Sequence, residues 1–329
     1  MPEKVTVIIC HHQGNLVLPA IASVLKSRGV EVELIVATSV QNAAFNRVRT
    51  LYLPGMPARK RNVAYRFATS DYITFFDDDV EVEPRAIEEM LKVIKQDRVG
   101  MVFGKTLNME YRNMFDEAGS FLTPFGFLWA RGDRTKDIGQ FEIVEPILAG
   151  KSAACMIRRE VYVDTGFFDE SYGILGEESD LAWRVWLTGW KVMYVPKSVT
   201  YHAFNTRFKP MDFYSNERVY FNGCRNYLAM LTTNLGAKRL AIALPCQVAS
   251  WLLCGLGMFV AGKWKASFNI FRGLAFYFSR LTVHLRKRQL VQGRRKIGEE
   301  ELMAIVMRKP KLSYYLKRFF RYISSGLHG

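Results

Sequence analysis

The sequence predicts an α/β fold with a mixed, mostly parallel sheet flanked by helices. Three apolar segments rich in β-branched and aromatic residues, at 5–10, 30–37 and 72–76, are predicted to form buried strands. Segments with helical spacing of apolar residues lie between or after them, at 16–27, 59–68 and 84–95. Alternating strands and helices indicate parallel strands, because parallel neighbours need a crossover connection.

The basic charge is concentrated near the C-terminal end of the sequence. The 329 residues carry 46 Lys and Arg against 31 Asp and Glu, a formal net charge of +15. Residues 263–329 hold 16 of the basic residues and only three acidic ones, Glu299, Glu300 and Glu301. The preceding part is therefore nearly neutral, and a basic appendage follows it.

Three adjacent aspartates follow the predicted strand at 72–76. Adjacent carboxylates repel and raise one another's pKa, so such a run indicates either a solvated acidic turn or a bound cation. Ligands of parallel α/β sheets bind beyond the carboxyl ends of the strands, which is where these aspartates fall. Asp77 and Asp79 are two residues apart, can point the same way and offer the oxygen ligands that Mg²⁺ or Mn²⁺ prefers.

Other site chemistries find little support in the sequence. The five cysteines form no CxxC pair and show no zinc spacing, so buried free thiols are expected. No GxGxxG is present, and in the GxxxxGK match at 257–263 Trp264 replaces the Ser or Thr that would hold magnesium. A bound nucleotide would therefore need another kind of site.

A second organised block follows a less regular middle section. A helix is predicted at 178–190, a strand at 191–195, and His202 comes just after another strand. The helix begins in the acidic run GEESDL, which holds Glu177, Glu178 and Asp180. One of these charges can also complement the helix dipole without any catalytic role.

Four segments in this order resemble the family 2 glycosyltransferases of the GT-A fold, in their bacterial rhamnosyltransferase-like branch. They are VTVIIC at 5–10, LPGMPARKRNVAYRFATSDYITFFDDDVEVEP at 53–84, GEESDLAWRVWLTGWKVMYVP at 176–196 with His202 beyond it, and YFNGCRNYLAMLTTN at 220–234. The resemblance implies inverting transfer of a sugar from a UDP- or dTDP-sugar donor, with Mn²⁺ or Mg²⁺ as cofactor. It also implies a hydroxyl acceptor on a lipid-linked or cell-surface glycan.

The resemblance assigns roles to individual residues. Metal ligation falls to Asp77, Asp79 and His202, because neutral imidazole also suits Mn²⁺. Binding of the nucleotide sugar falls to Arg61, Asn62, Asp78, Cys10 and His11, although the basic helix at 59–68 can also be an ordinary solvated surface.

The reaction needs a base to take the proton of the acceptor hydroxyl. The family uses a carboxylate in a GEDxDL motif, and the matching position here is Glu178, a glutamate in place of the usual aspartate. Asp180 and Glu177 are the alternatives.

Two further departures leave the nucleotide base unassigned. Ala37-Thr38-Ser39-Val40-Gln41 replaces an Asp-rich segment of many relatives, and Cys10-His11-His12-Gln13 replaces their early PTYN segment. Two other readings therefore stay open. One is a catalytically inactive GT-A-fold membrane scaffold or glycan-binding protein. The other is a nucleotidyltransferase, which would not account for the acidic helix and His202.

We predict a GT-A domain over 1–235, divided into a nucleotide-sugar half at 1–100 and an acceptor half at 101–235, and an amphipathic helical tail at 236–329. Residues 240–262 carry no charge over 23 positions, long enough to span a bilayer. No signal peptide is apparent and nucleotide sugars are cytosolic, so a single crossing would export the basic tail against the positive-inside tendency.

The expected location of the tail is therefore the cytoplasmic side of the cell membrane, peripheral or shallowly inserted, on anionic lipid. We expect no nucleic-acid partner, because the basic residues alternate with Phe, Leu and Trp. The oligomeric state is not predicted.

Overall fold

The computed structural model describes residues 2–14, 16–203 and 217–324, and the chain forms two compact units. The first unit comprises Met1–Ser120, Ala130–Gly173 and Glu177–Pro210. The second comprises Phe121–Trp129, Ile174–Gly176 and Met211–Gly329. The helix at Glu217–Asn234 thus belongs to the second unit, whereas the sequence grouped it with 1–235.

Twelve strands are found in the described residues. They are β1 Glu3–His11, β2 Val30–Thr38, β3 Arg49–Tyr52, β4 Tyr72–Asp77, β5 Val80–Val82, β6 Val99–Asn108, β7 Phe115–Glu117, β8 Ser120–Leu122, β9 Leu128–Ala130, β10 Glu145–Pro146, β11 Cys155–Arg158 and β12 Lys191–His202.

Eleven α-helices accompany them within the same described ranges. Those of the first unit are α1 Val17–Leu25, α2 Pro57–Ala64, α3 Ala86–Ile94, α4 Arg159–Asp164 and α5 Glu177–Leu187. Those of the second unit are α6 Glu217–Asn234, α7 Ala237–Val260, α8 Trp264–Ser279, α9 Leu281–Gly293, α10 Glu299–Val306 and α11 Leu312–Ser324.

The main sheet is mixed and mostly parallel, as predicted. Its order is β10-β12-β6-β11-β4-β1-β2-β3, with β5 added to β12 and β7 added to β6. Strands β3, β2, β1 and β4 run parallel, and so do β6 and β12, whereas β11 is antiparallel to both β4 and β6. Strands β8 and β9 form a separate pair.

The predicted elements of the first unit are present with small changes at their ends. The basic helix predicted at 59–68 begins earlier, at Pro57, and ends at Ala64, followed by one 3₁₀ turn. Proline suits the first turn of a helix because its missing N–H has no partner there. The two strands predicted around 191–202 are one continuous strand, β12, which ends at His202.

A buried apolar core holds α1 and α3 against the sheet. It includes Ile9 of β1, Val24 of α1, Phe76 of β4 and Met90 of α3, each fully buried. Burial of such side chains stabilises a fold by about 1.5–3 kcal/mol each relative to exposure. The carboxyl ends of β1 and β4 are therefore held at one fixed edge of the sheet.

Gly104 of β6 lies opposite a register shift in β12 and leaves room for it. Pairing with β6 shifts between Val195 and Val199, and Val195 is the partner of Gly104. A Cβ added at Gly104 would lie only 2.7 Å from the backbone oxygen of Ser198. Glycine thus permits the backbone of β12 to approach β6 before the strand reaches His202.

We predict that Gly104→Ala destabilises the protein by about 1–3 kcal/mol, because the added methyl group overpacks against backbone that cannot rotate away. Urea unfolding followed by circular dichroism measures the change. Gly293→Ala is the matched control, because a Cβ there meets nothing within 4 Å. Equal unfolding midpoints for the two variants would contradict the close approach described above.

The second unit has its own helical core. Tyr220 and Leu228 of α6 pack with Cys254 and Met258 of α7 and with Ile270 of α8, and all five are buried. The unit is thus a helical bundle in which the other helices cover one face of α7.

Candidate active site

Three potential metal ligands meet at the carboxyl edge of the main sheet. Asp77 ends β4 and lies in register with Cys10 of β1. His202 ends β12 and pairs with Val80, while the amide of Ala203 donates to the carbonyl of Asp79 at 2.9 Å. The short turn from β4 to β5 and its pairing with β12 therefore bring residues 77–79 to a histidine more than 120 positions away.

The ligand atoms of Asp77, Asp79 and His202 all lie within 4.8 Å of one another. The His202 Nε2 atom is 3.4 Å from Oδ1 of Asp79. Asp79 and His202 are buried, and the side chain of Asp77 is 30% exposed, so the group opens to solvent on one side. Two carboxylates and an imidazole are a donor set that suits Mn²⁺, so these residues fit the ion that the sequence predicts.

The ring of His202 is oriented by Asp116, a residue that the sequence did not indicate as part of the site. Its Nδ1 atom lies 2.8 Å from Oδ2 of Asp116, which also forms an ion pair with Lys151. Burial lowers the pKa of His202, but the charge of Asp79 and the hydrogen bond to Asp116 outweigh it and raise the pKa to about 10, so a metal ion bound at Nε2 would take the place of a proton. Lys151 and His202 hold the pKa of Asp116 well below its usual range despite burial.

The buried guanidinium of Arg61 connects the aspartates to the acidic helix. Its Nη2 atom donates to Oδ1 of Asp77 at 2.9 Å and to the hydroxyl of Ser152 at 3.0 Å, and its Nη1 atom donates to Oε1 of Glu177 at 3.2 Å. The guanidinium also lies over the ring of Phe168, 5.1 Å from its centroid. Arg61 is thus surrounded by protein groups and is 1% exposed.

The three acidic residues of the predicted base motif have different surroundings at the first turn of α5. Glu177 is buried and paired with Arg61. Asp180 is buried, receives the hydroxyl of Tyr172 at 3.2 Å and pairs with Arg184, whose Nε lies 2.8 Å from Oδ2. Glu178 is half-buried and has no ion pair among the described residues. It is therefore the most available of the three carboxylates.

The surroundings of Glu178 make it a stronger base than a free glutamate. Burial raises its pKa well above the usual 4.5, and the neighbouring charge of Glu177 raises it further. Arg61 opposes this shift but is already shared between Asp77 and Glu177. A raised pKa brings the proton affinity of a carboxylate closer to what general-base catalysis needs near neutral pH.

The residues predicted to bind the nucleotide sugar lie around the same edge of the sheet. Cys10 and His11 are buried at the end of β1, and burial raises the pKa of the Cys10 thiol to about 11. The His11 ring contacts Thr38 Oγ1 at 2.9 Å and the Gly14 carbonyl at 3.1 Å. The amide of His12 donates to Oδ2 of Asp78 at 3.1 Å.

Asn62 and Lys60 also bond to protein groups. The Asn62 amide donates to the Phe168 carbonyl at 2.9 Å and to Glu170 at 3.0 Å, and its carbonyl accepts from Tyr162 at 2.6 Å and from the Phe168 amide at 3.1 Å. Lys60 donates to the His11 carbonyl at 2.5 Å. These contacts position the loops of the site, and direct contacts with a donor stay a prediction.

Glu117 is a further titratable residue that sequence reasoning missed. It is buried in β7, next to Asp116, and accepts a hydrogen bond from Ser120 at 2.6 Å. Burial raises its pKa to about 7, although Lys151 and Ser120 oppose the shift. The surrounding sequence has no regular period or recognisable spacing, so only the fold reveals this residue.

Curated relatives cover part of the chain. It is 30% identical over 195 residues to "Probable N-acetylgalactosaminyltransferase 8" of Caenorhabditis elegans, covering 55% of this chain and 42% of that protein. It is 28% identical over 139 residues to "O-antigen biosynthesis protein RfbC" of Myxococcus xanthus, covering 40% of this chain and 11% of that protein. The chain thus spans less than half the length of these relatives.

Solved structures of glycosyltransferases share the fold. The crystal structure of GalNAc-T7 with UDP, GalNAc and Mn²⁺ matches with a TM-score of 0.60 at 13% identity, covering 96% of this chain and 57% of that one. Staphylococcus aureus TarS 1-349 matches with a TM-score of 0.51 at 16% identity, covering 88% of this chain and 90% of that one. The fold is therefore GT-A.

The family model described as "Glycosyltransferase like family 2" matches residues 31–243. The match includes the aspartates at the end of β4, the acidic turn of α5 and His202. The predicted family is thereby confirmed, whereas the rhamnosyltransferase-like branch stays a prediction. The chain belongs to glycosyltransferase-like family 2.

Proposed function

We propose that the protein is an inverting, metal-dependent glycosyltransferase that moves a sugar from a nucleotide-diphosphate donor to a hydroxyl group of a glycan or lipid-linked acceptor. The grouping of Asp77, Asp79 and His202 carries this proposal. It lies at the strand ends where α/β sheets bind ligands, and Arg61 connects it to the turn that holds Glu178.

In this proposal Asp77, Asp79 and His202 hold Mn²⁺ or Mg²⁺. The bound ion would neutralise the departing diphosphate and stabilise the charge that develops on it. Because the side chain of Asp77 is partly exposed, an ion held there would be accessible to phosphate oxygens of the donor. The hydrogen bond from Arg61 fixes the direction of the Asp77 carboxylate, and the contact of Asp78 with the His12 amide holds the end of β1 beside it.

Glu178 acts as the general base. The acceptor oxygen forms its bond to the anomeric carbon while the bond from that carbon to the diphosphate oxygen breaks. The hydroxyl proton passes to the Glu178 carboxylate. Its raised pKa supports this role, and so does the absence of an ion pair to it within the described part of the chain. Glu177 and Asp180 are positioning residues instead, because Arg61 and Arg184 already bind their carboxylates.

Donor and acceptor are inferred at the level of chemical class. A UDP- or dTDP-sugar is the first donor class to test, and UDP-N-acetylgalactosamine is included because of the name of a 30% identical relative. The similarity to an O-antigen biosynthesis protein supports a cell-envelope glycan or its lipid-linked precursor as acceptor. Because nucleotide sugars are cytosolic, we place the reaction on the cytoplasmic side of the cell membrane.

A donor screen tests the proposed function. The purified full chain is incubated with Mn²⁺ and a panel of nucleotide sugars, and release of nucleoside diphosphate is measured with and without EDTA. We expect Mn²⁺-dependent release from one donor class. NMR of the anomeric configuration in the product then tests inversion. Binding of sugars or glycans without release from any donor would favour the inactive, glycan-binding alternative.

We predict that Asp79→Ala abolishes the metal-dependent part of donor binding, because it removes one of the carboxylate ligands. Calorimetry with the donor found in the screen measures binding with and without Mn²⁺. Asp71→Ala is the control, because Asp71 is an exposed aspartate on the same unit. Unchanged donor affinity of Asp79→Ala under both conditions would exclude its metal role.

We predict that Asp116→Ala weakens Mn²⁺ binding by ~10-fold or more, since partners that orient a ligating histidine typically contribute this much. Electron paramagnetic resonance of free Mn²⁺ measures the affinity without any substrate. Asp116→Asn should retain part of it, because the amide oxygen can still accept the hydrogen bond from His202. Equal affinities of Asp116→Ala and wild type would show that His202 needs no such support.

We predict that Glu178→Gln lowers turnover by ~10²-fold or more while donor affinity is kept, as loss of a general base does. Steady-state kinetics and donor calorimetry separate the two quantities. Asp180→Asn is compared in parallel and should mainly lower the unfolding midpoint, because it weakens the buried pair with Arg184. Near-normal turnover of Glu178→Gln together with inactive but folded Asp180→Asn would assign the base to Asp180.

The pH dependence supplies a second test of Glu178. A base acts only when unprotonated, and its pKa is raised, so activity should fall as pH drops through a value well above 4.5. The acidic limb of kcat/KM for the wild type should be absent from the residual activity of Glu178→Gln. An identical acidic limb in both proteins would attribute the titration to another group.

A further inference from the structure

One side of α7 exposes several large apolar side chains, most of them in the second half of the helix. Ile242, Leu253, Leu256 and Val260 recur at helical spacing, and their exposed fractions are 59%, 57%, 55% and 86%. We call these four residues the apolar face of α7. Between the first and the last of them the helix rises about 27 Å, at ~1.5 Å per residue. Exposed apolar side chains over this length of a folded unit are typical of a binding surface.

The opposite side of α7 is packed within the second unit. Ala243, Gln247, Cys254 and Met258 are buried, and the Gln247 amide donates to the Phe125 carbonyl at 2.9 Å. α7 is nevertheless the one helix in the described ranges that is long and apolar enough to cross a bilayer. A helix that crosses alone would meet lipid on all sides, whereas here one side is committed to protein, including a buried polar contact.

The turn from α7 to α8 adds aromatic residues to this surface. Phe259 and Trp264 stack with their ring centroids 6.5 Å apart, and both are more than half exposed. Phe268, one helical turn further along α8, is 63% exposed. The next residue on the same side is the exposed Arg272, so the apolar surface ends about two turns into α8. Tryptophan is enriched where an apolar surface meets lipid headgroups.

The three helices α7, α8 and α9 carry basic but no acidic residues. From Arg218 to Gly298 the sequence has no Asp or Glu, and this range includes all of α7, α8 and α9. Lys238 and Arg239 stand at the start of α7, and Lys263 and Lys265 flank Trp264. Basic residues thus border the apolar face at both ends, and one of them, Arg239, forms an ion pair with Glu300 of α10. Long basic side chains at the edge of an apolar surface can reach lipid phosphates.

We propose that the apolar face of α7, with Phe259, Trp264 and Phe268, inserts into the interface of an anionic lipid bilayer while α7 lies parallel to the membrane plane. Apolar area supplies the insertion, and the surrounding lysines and arginines supply selectivity for anionic headgroups. A protein partner would need acidic groups to match the lysines and a flat apolar surface about 27 Å long. An anionic bilayer offers acidic groups and apolar area together, and it needs no surface of matching shape.

This surface is independent of the proposed chemistry. If the donor screen succeeds, a membrane-bound enzyme would meet a lipid-linked acceptor within the same two-dimensional layer. If the screen fails, membrane binding can still be measured, because the test below uses no substrate. The two proposals can therefore fail separately.

Vesicle flotation of the purified full chain tests the proposal. The protein is mixed with vesicles of phosphatidylcholine containing phosphatidylglycerol, or of phosphatidylcholine alone, at low and high salt. We expect binding to the anionic vesicles that weakens with salt but is not abolished, because buried apolar side chains keep part of the attachment. Equal binding to the neutral vesicles would overturn the assigned role of the basic residues.

A double substitution, Trp264→Ser with Phe268→Ser, should lower the partition coefficient by ~10-fold or more, because two large apolar side chains no longer insert. The matched control is Ile138→Ser with Ile143→Ser, which removes two apolar residues of the first unit that are 82% and 75% exposed. Circular dichroism and Mn²⁺ binding confirm that both variants fold. Equal loss of binding in both, or in neither, would overturn the proposal.

Orientation needs a separate measurement. A spin label at Val260→Cys should lie at a shallow depth, near the headgroup boundary, by power-saturation EPR on vesicles. Protease added to intact spheroplasts should leave the basic C-terminal region uncut. A label at the bilayer centre, or removal of the region by external protease, would show that α7 crosses and would refute the in-plane arrangement.

Discussion

The arrangement of the site depends on one buried cation, Arg61. Removing a guanidinium from water costs several kcal/mol, and only close pairing with carboxylates and hydrogen-bond acceptors offsets that cost. Arg61 has such partners in Asp77, Glu177 and Ser152, which belong to β4, α5 and the segment before β11. Because the same guanidinium contacts both carboxylates, the direction of the metal-ligand group and the position of the acidic turn cannot vary independently. Loss of Asp77 or Glu177 would leave the buried charge of Arg61 poorly compensated. The contacts of Arg61 therefore fix the geometry of the site more than they add to the stability of the fold.

The acidic turn shows how one fold distinguishes chemically similar groups. Glu177, Glu178 and Asp180 lie within a single helical turn, yet Arg61 binds the first and Arg184 binds the third. The two arginines bind the carboxylates on either side, whereas burial and the charge of Glu177 raise the pKa of Glu178 well above 4.5. The arginine partners distinguish Glu178 from the other two carboxylates, since the helix dipole acts on all three residues alike.

Periodicity and strand-end chemistry predicted much of this structure. The parallel strands, the basic helix expected at 59–68 and the position of Asp77 and Asp79 at a strand end followed from local patterns, which depend on residues close in sequence. The grouping of His202 with the two aspartates followed from the family resemblance. Asp116 and Glu117 could not be predicted, because they reach the site through pairing of β7 with β6, in a region without a clear period. Lys151, between β10 and β11, joins them only through its ion pair with Asp116. The positioning role of Arg61 was missed for a related reason. Its sequence neighbours are basic and indicate a solvated helix, whereas its partners are 16, 91 and 116 positions away.

In the second unit, the local sequence pattern does not decide whether α7 crosses a bilayer. Length and lack of charge permit a crossing of the bilayer, and the basic residues that follow disfavour one. The fold adds the missing constraint, since Gln247 and Met258 are buried on one side of the helix while Ile242 and Val260 stay exposed on the other. A surface helix of this kind gains most by covering only its exposed side with lipid. Full insertion would instead carry Arg272 and the polar residues of α8 towards hydrocarbon, at a cost of about 2.5–3.5 kcal/mol for an arginine at the centre. The packing of the helix, more than its hydropathy, therefore favours the in-plane arrangement.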